Sequence, residues 1–510
     1  MQSLEEIINQ NAEKYGDKTA LRWKGRNTSF KALRGRVNRL CNALTDIGLK
    51  KGDRVAILSQ NRPEYFETYC AAKGGYTIVP LNTRLIAKEL TFLINNSDAQ
   101  ALIFGEGFAR MVEEIRGDLP GVHQYISLGR QAGYPSYEDI LAGASPEPRP
   151  TDLRGDDLWA ILYTSGTTGL PKGAMLTHSG KIKDAFIQQG NLLLNTEDIA
   201  LHVMPFFHVG GMWYTLFPCF SKGITNVILS QFEPAEFLRT VEKYQVTRTF
   251  VVPTMVIALL EELGAGKYDV STLNCIQYAA SPMPGEPLKK AIKTFPNCRF
   301  LQQYGSSEMA GSTLTHEDHR RALRDRPDLL HSCGQPWPET EFRIVREDGS
   351  DAAPGEVGEF AVKNDRIMLG YWNNPEETAR AIRNGWIFSG DIGKVDADGY
   401  FYLLDRKKDM IVTGGENVFP TEVEGILYQH PAVLEAAVIG VPHEKWVEAV
   451  KAIVVLREGK ETTEEKIIAF CKSHMAGYKC PKSVDFVTEL PKTPSGKVLR
   501  RVLREKYPGS

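Results

Sequence analysis

The chain has 510 residues, with 61 basic and 63 acidic side chains and a formal net charge of −2. Hydrophobic residues at 42% and charged residues at 24% are the proportions of an ordinary soluble globular protein. No basic block or acidic tail stands out, so a nucleic-acid partner is not expected, and the length calls for more than one domain.

The opening stretch "MQSLEEIINQNAEKYGDKTAL" has no basic start followed by an apolar run, so no signal peptide is expected. No stretch reaches the roughly 20 apolar residues of a membrane helix, and peripheral membrane contact is left open. The ending "EKYPGS" is neither a retention nor a peroxisomal signal. Eight cysteines run from Cys41 to Cys480 without a C-x-x-C pair. That argues against a zinc site or a disulfide framework and suits a reducing, cytoplasmic location.

Taken in order, apolar runs precede helical patterns. "DRVAIL" (53–58) leads into "PEYFETYCAAKGG". "DDLWAILY" (156–163) predicts a buried strand, and "YTSGTTGLPKG" (163–173) follows it. "TRTFVV" (247–252) leads into "PTMVIALLEELG", and "NCIQYAA" (274–280) into "PGEPLKKAIKTFP". This alternation predicts βαβ units and largely parallel sheets. Near residue 405 the texture changes to "GYFYLLDRKKDMIVTGGENVFPTEVEGIL", then "AVLEAAVIGV", "VKAIVVL", the helix "EEKIIAFCKSHM" and a basic tail. The fold class expected is α/β. Residues 1–405 form a large N-terminal domain of βαβ-rich sheets, 406–408 a short charged hinge, and 409–510 a small mobile α+β domain.

The hydroxyl- and glycine-rich stretch sits at the C-terminal end of a strand, where ligands bind in open α/β sheets. Glycines let backbone N–H groups converge, hydroxyls donate further hydrogen bonds and Lys172 adds a positive charge. Together these favour phosphate, although an exposed turn has the same composition. The spacing is not that of a Walker A loop.

The stretch resembles the signature of the adenylate-forming enzymes, which include acyl-CoA synthetases, peptide-synthetase adenylation domains and beetle luciferases. Other motifs of that family follow in order: "MPFFHVGG" (204–211), "YAASPMP" (278–284), "QQYGSSE" (302–308), "GYWNNPEET" (370–378), "WIFSGDIG" (386–393), "DRKKDMIVTGGENVFPTEVE" (405–424) and "PKTPSGKVLR" (491–500). The resemblance covers nearly the whole chain. It implies attack of a carboxylate on the α-phosphate of ATP, release of pyrophosphate, and transfer of the acyl group to a thiol.

By that resemblance Thr164, Ser165, Gly166, Thr167, Thr168, Gly169 and Lys172 cradle the β- and γ-phosphates. Glu308 holds the Mg2+ that bridges phosphate oxygens. Tyr304 stacks on adenine, with an ordinary core tyrosine as the competing reading, and Gly305, Ser306 and Ser307 complete that motif. Ser307 stands where threonine is commoner. Ala279 and Ala280 replace the usual glycines, followed by Ser281 and Pro282, so the adenine or acyl pocket narrows. Asp391 and Arg406 hold the ribose hydroxyls. Lys497 is the adenylation lysine, and His208 orients or gates the carboxylate and the thiol. Lys408 stands at the hinge, and Gly414, Gly415 and Glu416 belong to the loop that enters for the thiol step. Trp446, Tyr478, Lys479 and Lys482 are candidates for the CoA nucleotide.

The acceptor expected is CoA. The acid is expected to meet Phe207, Met212, Trp213, Val252, Met283 and Met309, an apolar lining with adaptable methionines. The look of the whole chain favours a medium- or long-chain fatty acid. An aryl acid of the benzoate or hydroxycinnamate type is the alternative, and a non-catalytic nucleotide-binding homologue is the alternative of another class. A monomer or homodimer is the family-level expectation.

Overall fold

Apolar strands set directly ahead of helices fold as the expected parallel units. The strand Arg54–Leu58 runs into the helix Pro63–Cys70, and Arg248–Val251 into Pro253–Ala265. Each of these helices opens on a proline, whose fixed φ suits the first helical position and whose missing N–H costs nothing there. Cys275–Ala279 likewise precedes Gly285–Thr294. The computed structural model describes residues 3–164, 171–281, 283–407, 409–413, 416–443, 446–492 and 498–507.

Among the described residues the strands form four sheets. One, of six strands, has the order 124–127, 99–104, 54–58, 77–80, 158–164, 172–177, parallel except for its last pair. A second, of nine strands, is parallel from 299–305 through 275–279, 248–251, 199–202 and 225–228 to 19–23. Antiparallel strands close both of its edges. Their parallel strands read as continuous apolar runs because helices cover both faces.

The largest core cluster joins both sheets. It contains Val55, Ile57, Ile78 and Trp159 from the six-stranded sheet and Leu21, Ile228 and Tyr304 from the nine-stranded one. At its centre Trp159 meets Trp213 and Phe217 edge-on at 4.5 and 4.8 Å between ring centroids. Each such aromatic pair adds about 0.5–1.5 kcal/mol beyond area burial.

A third sheet, antiparallel, contains strands 341–345, 358–363, 386–395 and 401–406. The C-terminal body is a fourth sheet built on the long hairpin of 433–443 and 447–456. The helices Pro420–Leu427 and Glu464–His474 bury Val423, Leu427, Ile467 and Cys471 in the core of this body. The architecture is therefore the expected one, a large α/β body followed by a small α+β body. No helix among the described residues is long and apolar enough to cross a membrane. All eight cysteines are buried as free thiols, where they pack as small hydrophobes.

Candidate active site

The C-terminal ends of the parallel strands bring the chemistry together. Thr164 ends the strand Leu158–Thr164, and Tyr304 and Gly305 end Arg299–Gly305. Glu308 follows three residues later on the turn into Ala310–Leu314. Its carboxylate accepts from Tyr371 Oη at 3.1 Å and from Thr164 Oγ1 at 3.5 Å. A single carboxylate beside two hydroxyls is a hard-oxygen set. It fits an Mg2+ that brings phosphate oxygens and water as its other ligands, and it is too small for an all-protein cage.

The third sheet supplies the next group. Asp391 and Arg406 are cross-strand partners, and Arg406 Nε lies 2.5 Å from Asp391 Oδ1. Tyr304 Oη donates to Asp391 Oδ2 at 2.5 Å. Burial and the neighbouring carboxylate push the Tyr304 phenol well above its usual range, so it stays protonated and donates. The Tyr304 ring is buried, edge-on to Phe360 at 5.5 Å and tilted against Phe342 at 6.1 Å. Its ring is thus packed as a core tyrosine while its hydroxyl orients Asp391. Asp391 can accept from vicinal hydroxyls, the chemistry expected of a ribose contact.

Lys172 opens the strand Lys172–Thr177 beside this group. Its ammonium is paired with Glu377 and lies 5.3 Å from the centroid of the Tyr371 ring. Hydrogen bonding from Lys172, ahead of that from Arg380, holds the Glu377 carboxyl below its ordinary range.

Ala280 adopts φ +79°, a left-handed conformation that favours glycine, at the position where the motif resemblance leads one to expect glycine. Ser281 follows it, half-buried. Ser306 Oγ accepts from the Glu308 N–H at 3.2 Å and helps fix the turn, and Ser307 is half-buried beside it. His208 is half-buried and its ring lies 4.6 Å from that of Phe207.

The six residues expected around the acid fall in three packing clusters. Phe207, Met212, Trp213 and Met309 belong to the large core cluster, Val252 to a second cluster and Met283 to a third. Trp213 packs edge-on against Trp159 and Tyr69, inside the core. Its neighbour Tyr214 takes the position beside the site: a Cβ added to Gly305 would overlap Tyr214 Oη. Tyr214 shares its cluster with Val252, Met204, Phe250, Ala279 and Trp337. Tyr214 Oη is buried and has no hydrogen-bond partner among the described residues. Sequence reading missed Tyr214 because the run "MWYTLF" is apolar or aromatic but for Thr215, and residues 212–216 form a π-helical turn that shifts the facing of each side chain.

On the C-terminal body, Trp446 stacks on His443 at 4.3 Å with Lys482 at 5.3 Å from its ring. Lys482 also donates to the Gly477 carbonyl at 3.0 Å, next to the exposed Tyr478. Lys479 is engaged with Glu422 at 2.6 Å, and Glu416 is exposed. The four CoA candidates therefore lie close together. The expectations for Ser165, Gly166, Thr167, Thr168, Gly169, Pro282, Lys408, Gly414, Gly415 and Lys497 fall outside the described residues.

Comparison with known proteins gives a consistent picture. The AMP-binding enzyme family matches residues 8–372, and the AMP-binding enzyme C-terminal domain matches residues 422–497. A feruloyl-CoA synthase of Amycolatopsis sp is 37% identical over 490 residues, covering 96% of each chain. The long-chain-fatty-acid–CoA ligase FadD13 of Mycobacterium tuberculosis is 36% identical over 485 residues, covering 94% of this chain and 93% of that one. Among solved structures, the anthranilate CoA ligase AuaEII in complex with anthranoyl-AMP superposes with a TM-score of 0.92 at 28% identity. That match covers 99% of this chain and 97% of the other.

Proposed function

The chain belongs to the AMP-binding enzyme family, and from that premise we propose that it is an ATP-dependent acid–CoA ligase working through an acyl-adenylate. The observation that carries this reading is the Tyr304–Asp391–Arg406 cluster set beside Glu308 and Thr164 at the strand ends. Asp391 would accept from the ribose hydroxyls, with Tyr304 and Arg406 fixing its orientation. Thr164 and Glu308 would face the phosphates. An Mg2+ held by Glu308 supplies charge neutralisation there. Lys497 would bridge the carboxylate and the α-phosphate, where negative charge gathers. His208 would lie between acid and thiol. The hinge at 406–408 would let the C-terminal body exchange Lys497 for the Gly414–Gly415 loop between half-reactions. Trp446, Tyr478, Lys479 and Lys482 would then meet the CoA nucleotide.

For the acid, the whole-chain resemblance favours a medium- or long-chain fatty acid, and FadD13 is a relative of that kind. The wall around Tyr214 favours a second reading, a compact aromatic acid. Tyr214 and Trp337 stand 5.8 Å apart beside Phe250. Register pairs Phe250 with Gln277 and Ala279 with Gln303, so these four share one sheet face. Gln277 and Gln188 both donate to Gln303 on that buried face. A long alkyl chain following the face would press against amides already bonded to one another, whereas an aromatic ring would end above them.

The test is incubation of the purified protein with Mg-ATP, CoA and acetate, octanoate, palmitate, benzoate or ferulate, with products read by mass spectrometry. AMP, pyrophosphate and an acyl-CoA support the ligase reading, and the productive acid selects between the fatty-acid and aromatic-acid readings. Adenylate without thioester would move the acceptor to a carrier protein. No AMP from any acid would overturn the reading.

A further inference from the structure

We propose that Lys172 and Glu377 form a positioning latch for the nucleotide site, and that Lys172 keeps its carboxylate partner when ATP binds. The proposal rests on the nucleotide-site reading above and assigns Lys172 a role other than the phosphate contact expected from its motif.

The geometry of both partners supports this. Lys172 opens the strand Lys172–Thr177 and is the cross-strand partner of Thr164. Its side chain is 9% exposed and that of Glu377 is 15% exposed, so the pair is largely out of water. The underside of the ammonium rests on the Tyr371 ring, a second source of attraction for a cation. Glu377 sits in the first turn of the helix Pro375–Ala381, where its N–H donates to the capping side chain of Asn374 at 3.1 Å. Its other carboxylate oxygen takes the exposed Arg380.

The segment that carries these groups is fixed to the same strand. The Trp372 N–H donates to the Gly173 carbonyl at 2.8 Å, and Met175 and residues 369 and 370 exchange two backbone hydrogen bonds at 3.0 Å. Tyr371 N–H donates to Thr378 Oγ1 at 2.8 Å. One rigid unit therefore holds Lys172 by charge, Thr164 by strand pairing, and Glu308 through Tyr371 Oη at 3.1 Å. Moving the ammonium to a phosphate would break the less exposed of the two ion pairs on Glu377, leave its carboxylate to the exposed Arg380 alone and lift the cation from the Tyr371 ring. Left in place, the pair sets the spacing between the Thr164 hydroxyl and the Glu308 carboxylate.

The two roles differ in sign. If Lys172 were a phosphate ligand restrained by Glu377, Glu377→Gln would release it and tighten ATP. As a latch, Glu377→Gln weakens ATP. Mg-ATP binding to the full-length protein by calorimetry, without acid or CoA, separates them. The expected result is a Kd for Mg-ATP raised about tenfold by Glu377→Gln and by Lys172→Met, the low end of ordinary coupling between neighbouring groups. The double variant should be no worse than either single one, and Lys172→Arg, which keeps the pair, should stay within about twofold. Unchanged or tighter binding by Glu377→Gln overturns the latch while leaving the nucleotide site standing. So does a Lys172→Arg variant as weak as Lys172→Met. Absence of Mg-ATP binding by the unaltered protein overturns both the latch and the nucleotide-site reading.

Discussion

Tyr214 carries a buried phenol with no partner among the described residues, so its replacement by phenylalanine removes no hydrogen bond seen in the protein. Stability of Tyr214→Phe should stay within about 0.5 kcal/mol of the parent or rise, read as melting temperature. If the phenol meets a polar substituent of an aromatic acid, KM for a ring-hydroxylated acid should rise about tenfold, the worth of one good hydrogen bond. KM for unsubstituted benzoate should not move. Equal behaviour of the two acids would remove Tyr214 from acid recognition. Lys497 belongs to the same scale. Lys497→Ala should abolish adenylation and spare thioester formation from a supplied acyl-adenylate; unchanged ATP–pyrophosphate exchange would show the role to be misassigned. The two residues differ in how they could be read. Lys497 stands in a local motif, "PSGK", whereas Tyr214 is identified only by what lies across from it, Gly305, 91 positions away in the numbering.

Elements were legible where burial is continuous. The strands at 54–58, 158–164, 248–251 and 275–279, and the helices after all but the second of them, follow from apolar runs ended by Pro and Gly. The third sheet was much less so. Its shortest strand, Ile382–Arg383, has no pattern of its own, and Trp386–Val395 reads as a motif before it reads as a strand. Pairings across the chain leave no local trace at all, and Lys172 and Glu377 are 205 residues apart. Two turns also carry backbone conformations that their residues resist. Ala280 lies at φ +79° and Val447, β-branched and 72% exposed, at φ +70° where the strand Val447–Leu456 begins. Left-handed backbone costs an L-residue about 1–2 kcal/mol, more for a branched one, against about 0.5–1 kcal/mol for the extra freedom of glycine in the unfolded chain. Val447→Gly should therefore raise the melting temperature by a few degrees, and Ala280→Gly by less. A fall in either variant would mean that the methyl groups make contacts worth more than the strain.

At the scale of the molecule, three buried histidines set the acid limit. Burial pushes His178, His202 and His319 down to about 4, opposed only in part by Asp157, Asn226 and the Thr315 carbonyl respectively. A group whose folded pKa lies below its unfolded value contributes stability above the unfolded value and loses it as pH falls. Each histidine therefore removes up to about 3 kcal/mol as pH drops from the ordinary histidine value toward 4. Asp405 acts in the opposite direction: burial, relieved by Arg500, pushes its carboxyl up to about 6, so its contribution fades as pH rises through that value. Three groups outweigh one, and the melting temperature should fall steadily from pH 6.5 to pH 4.5; a flat profile would contradict the assignment of these rings as neutral core groups. The central claim concerns chemistry, and acid-dependent exchange of labelled pyrophosphate into ATP without CoA tests it most directly. Exchange that appears only with Mg2+ and one class of acid is the predicted result. No exchange with any fatty or aromatic acid, from a protein that binds Mg-ATP, would contradict the acyl-adenylate mechanism.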